Sequence, residues 1–372
     1  MSTATQRGFT SWFLWVAVWL LSACSKQEPV KIGFIGTLSR GAADVGQAGR
    51  NGVILAVEQR NAALKSFQRP VELLIEDDAQ DPAQATQAFE KLQRAGVVAI
   101  VGPFSSSVAA ALVPLANDKR MVLVSPTVTS MDFVGKDDHL FRIHRSTRDN
   151  ATDYAHRLLR DGLKSVSVAY DQRNRSFTTS WLNEFRSTYT TQGGQVVSAY
   201  PFGESGSGNH EQVARELLAK PASAVLMIAN AVDSARVLQH VRHISAKPAL
   251  VVAEWAASES LIELGGRAIE GLLVLHPFDR FSTNPDYGRF REAFQHRFGT
   301  EPGYSAVAAH DAATVVFSAL DGIGRHPDLK TSLLQEGPYQ GLQQPILFDA
   351  FGDTSRLVAF NRVEGGHFVS AP

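Results

Sequence analysis

Two short segments of the chain carry hydroxyl groups directly after an apolar run. Ser105, Ser106 and Ser107 follow the run Val97 to Val101, and Thr127 and Thr129 follow the run Met121 to Val124. Hydroxyl groups at the start of a helix, together with its free backbone N–H groups, bind anions. Ordinary helix capping explains one serine but not three. If they lie side by side, these two segments could hold one carboxylate.

A carboxylate follows a third apolar run. Glu254 comes directly after the run Ala249 to Ala253 and before Trp255. Because a buried carboxylate is costly unless it is paired, Glu254 needs a cationic partner or a wet cleft. A structural salt bridge and a ligand-binding role are both open on this local pattern.

Short β-rich runs alternate with stretches of helical spacing along the whole body of the chain. The predicted strands are Val30 to Ile35, Val71 to Ile75, Val97 to Val101, Met121 to Val124, Ser165 to Tyr170, Ala222 to Ile228, Ala249 to Ala253 and Gly271 to Leu275. Asp81, Pro82 and Gln84 mark the start of the clearest helix as an N-cap, a first-turn proline and the end of a capping box. This alternation predicts an α/β fold of two doubly wound, Rossmann-like lobes with parallel sheets. Ligands of such sheets bind beyond the carboxyl ends of the strands, where the hydroxyl groups and Glu254 stand.

The composition excludes several classes of protein. The chain has 372 residues, of which 44% are hydrophobic and 20% charged, a globular composition long enough for about two domains. Its 36 basic and 37 acidic side chains balance, and no basic cluster stands out, so nucleic acid is not an expected partner.

The N-terminus has the pattern of a secretory signal. An uncharged, apolar stretch from Gly8 ends in Leu21-Ser22-Ala23-Cys24, and Cys24 is the single cysteine of the chain. The last four residues resemble the lipobox of bacterial lipoproteins, which implies that residues 1–23 are removed and that Cys24 carries the lipid. Residues 24–28 then form a tether to the membrane. An uncleaved anchor and a stray cysteine are the alternatives.

The sequence gives little support to an enzyme. It has no Gly-x-Ser-x-Gly elbow, its serines have no evident base, and His240 and His243 lack a third metal ligand, so we interpret them as surface residues. We expect no catalytic residue, no metal and no cofactor. Arg142, Arg145 and Arg148 are interpreted as solvated residues between the lobes, with a clamp for a second acidic group as the alternative.

The order and spacing of several motifs resemble one family. The motifs are Gly36-Thr37-Leu38-Ser39, Glu76 to Pro82, Val101-Gly102-Pro103, Val124-Ser125-Pro126 and His310-Asp311-Ala312. They are similar to those of the type I periplasmic binding proteins of the leucine/isoleucine/valine class, over about Val30 to the C-terminus. The resemblance implies two lobes of discontinuous segments joined by a three-strand hinge. The first would take residues 29–147 and 276–341, and the second 148–275 and 342–372.

The resemblance also implies roles for individual residues. Ser105 and Ser106 match the serine loop, and Thr127 and Thr129 the second hydroxyl loop, that bind the α-carboxylate of the ligand, while Glu254 matches the acid that pairs with the α-ammonium. Phe104, Phe177 and Trp255, with Tyr304, are expected to supply apolar walls, although aromatic residues at strand ends are often core. Asn230, where family members have an aromatic pair, is also expected at the ligand. The chain departs from the family at Val45 and at Arg175-Ser176, where an aromatic residue and a Tyr-Gly pair are common.

The resulting prediction is a monomeric, lipid-anchored, periplasmic solute-binding protein. It would capture an amino acid, either branched-chain or a related apolar or aromatic one, in the cleft between the lobes and deliver it to an ABC permease complex. A binder of a non-amino-acid carboxylate or amide, and a sensor read by a receptor instead of a transporter, are the alternatives.

Overall fold

The computed structural model describes residues 28–41, 43–65, 68–203 and 209–372. The predicted signal segment, Cys24 and all of the tether except residue 28 lie outside these residues. Within them the chain forms two α/β lobes, each built on its own sheet, which confirms the predicted fold class.

The first lobe contains a five-stranded parallel sheet in the order β2-β1-β3-β4-β5. Its strands are β1 Val30–Gly36, β2 Val71–Asp77, β3 Ala99–Val101, β4 Val122–Ser125 and β5 Leu140–Arg142. Its helices are α1 Ala43–Ala62, α2 Pro82–Arg94, α3 Ser106–Lys119, α9 Pro285–Phe298, α10 Tyr304–Gly322 and α11 Leu329–Gln335.

The second lobe contains a seven-stranded sheet in the order β12-β11-β10-β9-β8-β6-β7. Its strands are β6 Ser165–Asp171, β7 Gln195–Phe202, β8 Ala224–Ile228, β9 Ala249–Val252, β10 Leu273–His276, β11 Ala359–Glu364 and β12 His367–Ser370. Its helices are α4 Thr147–Arg160, α5 Arg175–Thr191, α6 His210–Leu218, α7 Ala231–Ile244 and α8 Glu259–Gly265. Both sheets are parallel as predicted, except that β11 in the second sheet runs antiparallel to its two neighbours, β10 and β12.

Local sequence signals account for well-marked elements such as α2. The Asp81 carboxylate accepts a hydrogen bond from the Gln84 amide at 2.8 Å, and Ala85, Phe89 and Leu92 are buried on one face. The Gln84 side chain, however, donates to the carbonyl of Asp77 and not back to the cap. The N-cap is therefore confirmed, whereas the reciprocal capping box is not formed.

Helix α10 is the central helix of the first lobe. It is long and apolar enough to cross a membrane by length and composition, but 72% of its most apolar window is buried inside the protein. It packs mainly against α1, where Gly52 permits close approach because an added Cβ would lie 2.3 Å from the Ala306 carbonyl oxygen. Helix α10 is thus a core helix that fixes its first residue, Tyr304, at the boundary between the lobes.

Buried ion pairs hold the segments that pass between the lobes. The Arg142 guanidinium at the end of β5 is 1% exposed and donates to Asp353 at 2.5 Å, and the Arg142 amide donates to the Gly352 carbonyl. The prediction of a solvated Arg142 is therefore wrong, because a carboxylate distant in sequence neutralises it. Arg148, by contrast, is exposed and pairs with Glu184.

Candidate ligand-binding cleft

A small cavity lies between the lobes, at the carboxyl ends of both sheets. Its volume is about 30 Å³. It is lined by Phe104, Ser106, Thr127, Thr129, His144, Asn174, Phe177, Glu254, Trp255, Pro277 and Tyr304. All of these except Tyr304 follow a parallel strand by six residues or fewer. The sheet topology therefore assembles the lining, as expected of doubly wound sheets.

The loop after β3 presents one of the three serines to the cavity. Gly102 has a φ of +129°, and an added Cβ would lie 2.1 Å from the Ile35 carbonyl oxygen, so this turn requires glycine. Ser105 then caps α3, accepting from the Val108 amide at 3.2 Å, whereas Ser106 lines the cavity. The Ser107 amide donates to Asn174 of the second lobe at 3.1 Å. The three serines thus divide between capping, cavity lining and contact with the other lobe.

The loop after β4 presents two threonine hydroxyl groups with different hydrogen-bond partners. Thr127 donates its hydroxyl proton to the Phe104 carbonyl at 2.7 Å, which leaves it only lone pairs for a ligand. Thr129 instead accepts from Thr147 at 3.0 Å, and Ser106 accepts from the Ser130 amide at 3.4 Å. Ser106 and Thr129 therefore keep their own hydroxyl protons available to donate to an anion in the cavity.

Glu254 supplies a carboxylate from the second lobe. It is 6% exposed, and its two oxygens accept from the Asn150 side chain at 2.9 Å and from the Trp181 indole N–H at 3.0 Å. Among the residues that the structure describes, Glu254 has no ion-pair partner within 4 Å, so the structural salt bridge is not formed. Burial raises the pKa of Glu254. The carboxylate is thus oriented by two neutral donors and would be stabilised by a cation in the cavity.

Aromatic side chains form most of the apolar wall. The ring of Phe104 occupies the space beside Gly49 of α1, where an added Cβ would lie 2.1 Å from the ring. Phe177 and Trp255 form an edge-on pair with centroids 5.8 Å apart, and Tyr304 donates to the Trp255 carbonyl at 3.2 Å. All four predicted aromatic residues line the cavity and are also well buried. They therefore belong both to the hydrophobic core and to the wall of the cleft.

Ser105 and Asn230 do not line the cavity. Ser105 is held as the cap of α3, and Asn230 caps α7, accepting from the Asp233 amide at 3.0 Å and donating to the Asp233 carboxylate at 2.7 Å. All the hydrogen bonds observed for these two side chains are therefore made at the N-terminus of the helix that each one caps.

His144, Asn174 and Pro277 line the cavity although the sequence did not single them out. His144 follows the three-residue strand β5, and Asn174 ends the short turn after β6. Only their positions in the sequence could have indicated this role, because a polar residue just beyond a strand end of a doubly wound sheet is a candidate ligand contact.

Hydrogen bonds join the lobes on one side of the cleft. Ser176 of α5 donates its hydroxyl proton to Asp132 at 2.6 Å, its amide donates to Ser107 at 3.2 Å, and its carbonyl accepts from Ser130 at 2.9 Å. On the other side, Ser258 donates to Asp44 at 2.7 Å. The lobes are therefore closed on each other around the cavity.

Metal chemistry receives no support from the described residues, since no group of three or more His, Cys, Asp or Glu side chains there could hold a metal ion. His240 and His243 lie on α7, half-buried and exposed respectively.

Comparisons with known proteins agree with this architecture. The family model described as periplasmic binding protein matches residues 29–367. A leucine-, isoleucine-, valine-, threonine- and alanine-binding protein of Pseudomonas aeruginosa is 20% identical, over 88% of this chain and 87% of that protein. The crystal structure of a leucine binding protein from Thermotoga maritima has a TM-score of 0.84 at 23% identity and covers 92% of this chain and 98% of its own.

A third relative has a different ligand. A solute binding protein of an ABC transporter from R. palustris, solved in complex with benzoate, has a TM-score of 0.84 at 17% identity, over 92% of this chain and 95% of its own. Proteins of this class bind small molecules outside the cytoplasm and work with ABC transporter permeases. The chain belongs to the periplasmic binding protein family and has its type I fold.

Proposed function

We propose that this protein is the solute-binding component of an ABC importer and that it captures a small amino acid in the cleft between its lobes. The observation that carries the proposal is the placement of Glu254, a buried carboxylate without a cationic partner in the described chain, in the same cavity as the Ser106 and Thr129 hydroxyl groups.

The two kinds of group match the two charges of a zwitterion. An α-ammonium group beside Glu254 would pair with its charge, and an α-carboxylate would accept from the hydroxyl protons of Ser106 and Thr129. Hydrogen bonds of this kind, with one charged partner, are about twice as strong as neutral ones and are strengthened further when the cleft excludes water. Thr127 contributes to the shape of this site but does not donate to the ligand, because its hydroxyl proton is donated to the Phe104 carbonyl.

The cavity volume favours a small ligand and requires hinge motion. A volume of about 30 Å³ holds roughly two water molecules. Entry of an amino acid therefore requires the lobes to separate and the aromatic wall to adjust, and contacts from both lobes then favour closure. The Pseudomonas relative has alanine and threonine in its name beside the larger aliphatic amino acids, which supports the same ligand class.

The test is substitution of Glu254→Gln. Removing the charged partner of the ammonium should weaken amino acid binding about 10- to 100-fold, measured by isothermal titration calorimetry after stripping bound ligand. Glu259→Gln is the matched control, because Glu259 lies five residues away, pairs with Arg280 and does not line the cavity. Equal affinities of the Glu254→Gln and control proteins for amino acids would contradict the ammonium site.

A second candidate ligand class is an aromatic carboxylate without an amino group. Phe104, Phe177, Trp255 and Tyr304 provide aromatic walls for such a ligand, and the Ser106 and Thr129 hydroxyl groups would donate to its carboxylate as they would to that of an amino acid. The R. palustris relative is bound to benzoate. In this case benzoates would bind, amino acids would not, and Glu254→Gln would leave benzoate affinity unchanged.

We also propose that Cys24 carries a lipid anchor. The supporting observation is its position as the single cysteine, directly after Leu21-Ser22-Ala23 at the end of the apolar stretch. Labelling with a radioactive fatty acid in the producing bacterium tests it, because Cys24→Ala should abolish both the label and membrane association.

A further inference from the structure

His144 is a buried side chain in the cavity that the zwitterion site does not use. It stands two residues beyond β5, is 6% exposed, and lines the cavity together with Glu254 and Thr129. Neither of its ring nitrogens makes a hydrogen bond to a described residue, and neither is fully enclosed by protein atoms. The imidazole therefore borders the cavity and has no hydrogen-bond partner in the described part of the chain.

The other buried histidines differ from it. The His276 ring is bonded to Asn361 at 2.7 Å and the His310 ring to Gln59 at 2.9 Å. Each has one nitrogen engaged by a neighbouring amide, whereas the His144 ring packs tilted against that of Tyr304, with centroids 6.1 Å apart, and has no hydrogen bond to a described residue. Since buried polar groups are normally hydrogen-bonded, an unpartnered imidazole in a binding cavity indicates a ligand contact.

The imidazole is neutral at ordinary pH. Burial, with the positive charges of Arg356 and Arg145 nearby, lowers the pKa of His144 to about 3. A neutral imidazole has one N–H donor and one acceptor nitrogen. It cannot pair with a charge as an imidazolium would, and it is suited to a neutral polar group such as a hydroxyl or an amide.

The position of His144 separates it from the groups assigned to the zwitterion. Strand β5 is the edge strand beyond β4, and the Thr147 hydroxyl at the start of α4 bonds to Thr129. His144 thus lies beyond the Thr129 loop, while Glu254 approaches from the other lobe. We infer that His144 is a specificity-determining residue whose imidazole hydrogen-bonds a hydroxyl or amide on the side chain of the ligand. This inference rests on the proposed function.

Selectivity follows from the energetics of an unpaired group. An aliphatic ligand would dry the cleft around His144 and leave its nitrogens without partners, whereas a ligand with a hydroxyl group would satisfy them. Sites built to hydrogen-bond a polar group reject analogues that lack it far more strongly than apolar pockets distinguish sizes. The cleft should therefore prefer a hydroxylated ligand over its apolar analogue of similar shape.

The test uses two matched pairs of ligands, threonine with valine and 4-hydroxybenzoate with benzoate. Their affinities for the full-length, ligand-stripped protein are measured by isothermal titration calorimetry. The wild-type protein should bind the hydroxylated member of one pair at least 10-fold more tightly. His144→Phe keeps the ring packing against Tyr304 but removes both nitrogens, and should bring this ratio to between 1 and 2. His144→Gln, which retains a donor and an acceptor, should keep most of the preference.

Three results would overturn the inference. The first is a wild-type protein without preference in either pair, and the second is an unchanged ratio in His144→Phe. If that variant does not fold, judged by its thermal melting curve, His144→Leu gives the same comparison. The third is failure of all four ligands to bind the wild-type protein. Binding of leucine or alanine in that case would leave the proposed function standing, as the first two results do, whereas failure of these amino acids as well would contradict it.

Discussion

Two buried carboxylates, Glu254 in the cleft and Asp311 in the first lobe, are held in contrasting ways. Asp311 accepts from the Leu342 amide at 2.8 Å and from the Arg356 guanidinium at 3.0 Å. Glu254 also accepts two hydrogen bonds, but both come from neutral groups, the Asn150 amide and the Trp181 indole. Burial raises the pKa of both carboxyl groups. Both carboxylates are therefore buried, but the protein places a cation in contact with Asp311 and not with Glu254.

This difference separates a structural site from a binding site. The Asp311 charge is compensated within the chain, and the pair connects α10 to the segment that leads into the second lobe. No cation of the described chain contacts Glu254, which feels only the more distant charge of Arg145 and faces a cavity. A protein can leave a carboxylate in this state only at a cost in stability, which a cationic ligand then offsets when it binds.

The largest effect that tests this comparison is expected from Asp311→Asn. This substitution leaves Arg356 buried without its counter-charge and should lower the free energy of unfolding by about 3–5 kcal/mol. Glu254→Gln removes a charge that is not paired, and should change the same free energy by less than about 1 kcal/mol. Urea unfolding of both proteins without ligand measures the two values. Similar losses in both variants would show that Glu254 is as structural as Asp311.

A smaller effect is expected from buried histidines such as His310 as pH falls. Burial lowers the pKa of His310 to about 4, below the unfolded value of 6.5. Between these values the unfolded chain takes up a proton that the native protein does not, so the contribution of His310 is fully present above pH 6.5 and is lost as pH falls toward 4. His144 acts in the same direction.

His310→Gln isolates this contribution. Glutamine keeps a hydrogen-bonding group toward Gln59 but does not titrate, so the variant should lose about 2 kcal/mol less stability than the wild type between pH 6.5 and pH 4.5. Urea unfolding at both pH values gives the difference, and His367→Gln at an exposed position is the control. Superimposable pH profiles for wild type and His310→Gln would contradict a neutral, buried His310.

The sequence could predict the loops of the cleft better than the individual side chains in it. The apolar runs before Ser105 and Thr127 are buried strands, and the carboxyl ends of such strands meet at one edge, so the two hydroxyl loops could be placed together. Which serine faces the cavity depends on the residue at which α3 begins. Helix α3 begins at Ser106, so Ser105 is its N-cap and Ser106 lines the cavity. The spacing of the serines in the sequence does not predict which of them has which role.

His144 and the partner of Arg142 could not be predicted for a different reason. Strand β5 has three residues, too few for a periodic pattern, so neither the strand nor the residue beyond it stood out. Asp353, which neutralises Arg142, lies 211 residues further along the chain. Pairing over such a distance is fixed by the path of the chain between the lobes and not by local sequence.

The smallest effect concerns closure of the cleft, and Ser176→Ala measures it. The Ser176 hydroxyl donates to Asp132 across the lobes at 2.6 Å. This exposed hydrogen bond exists only in the closed arrangement, so its loss should weaken ligand binding about 2- to 5-fold, equivalent to about 0.5–1 kcal/mol. The free energy of unfolding should change less, because the bond lies within neither lobe. Glu184→Gln, which breaks a surface pair with Arg148 inside the second lobe, should leave affinity unchanged. If Ser176→Ala binds ligand as tightly as the wild type, the hydroxyl adds nothing to closure, and the difference between the closed and open forms depends on ligand contacts such as Glu254 alone.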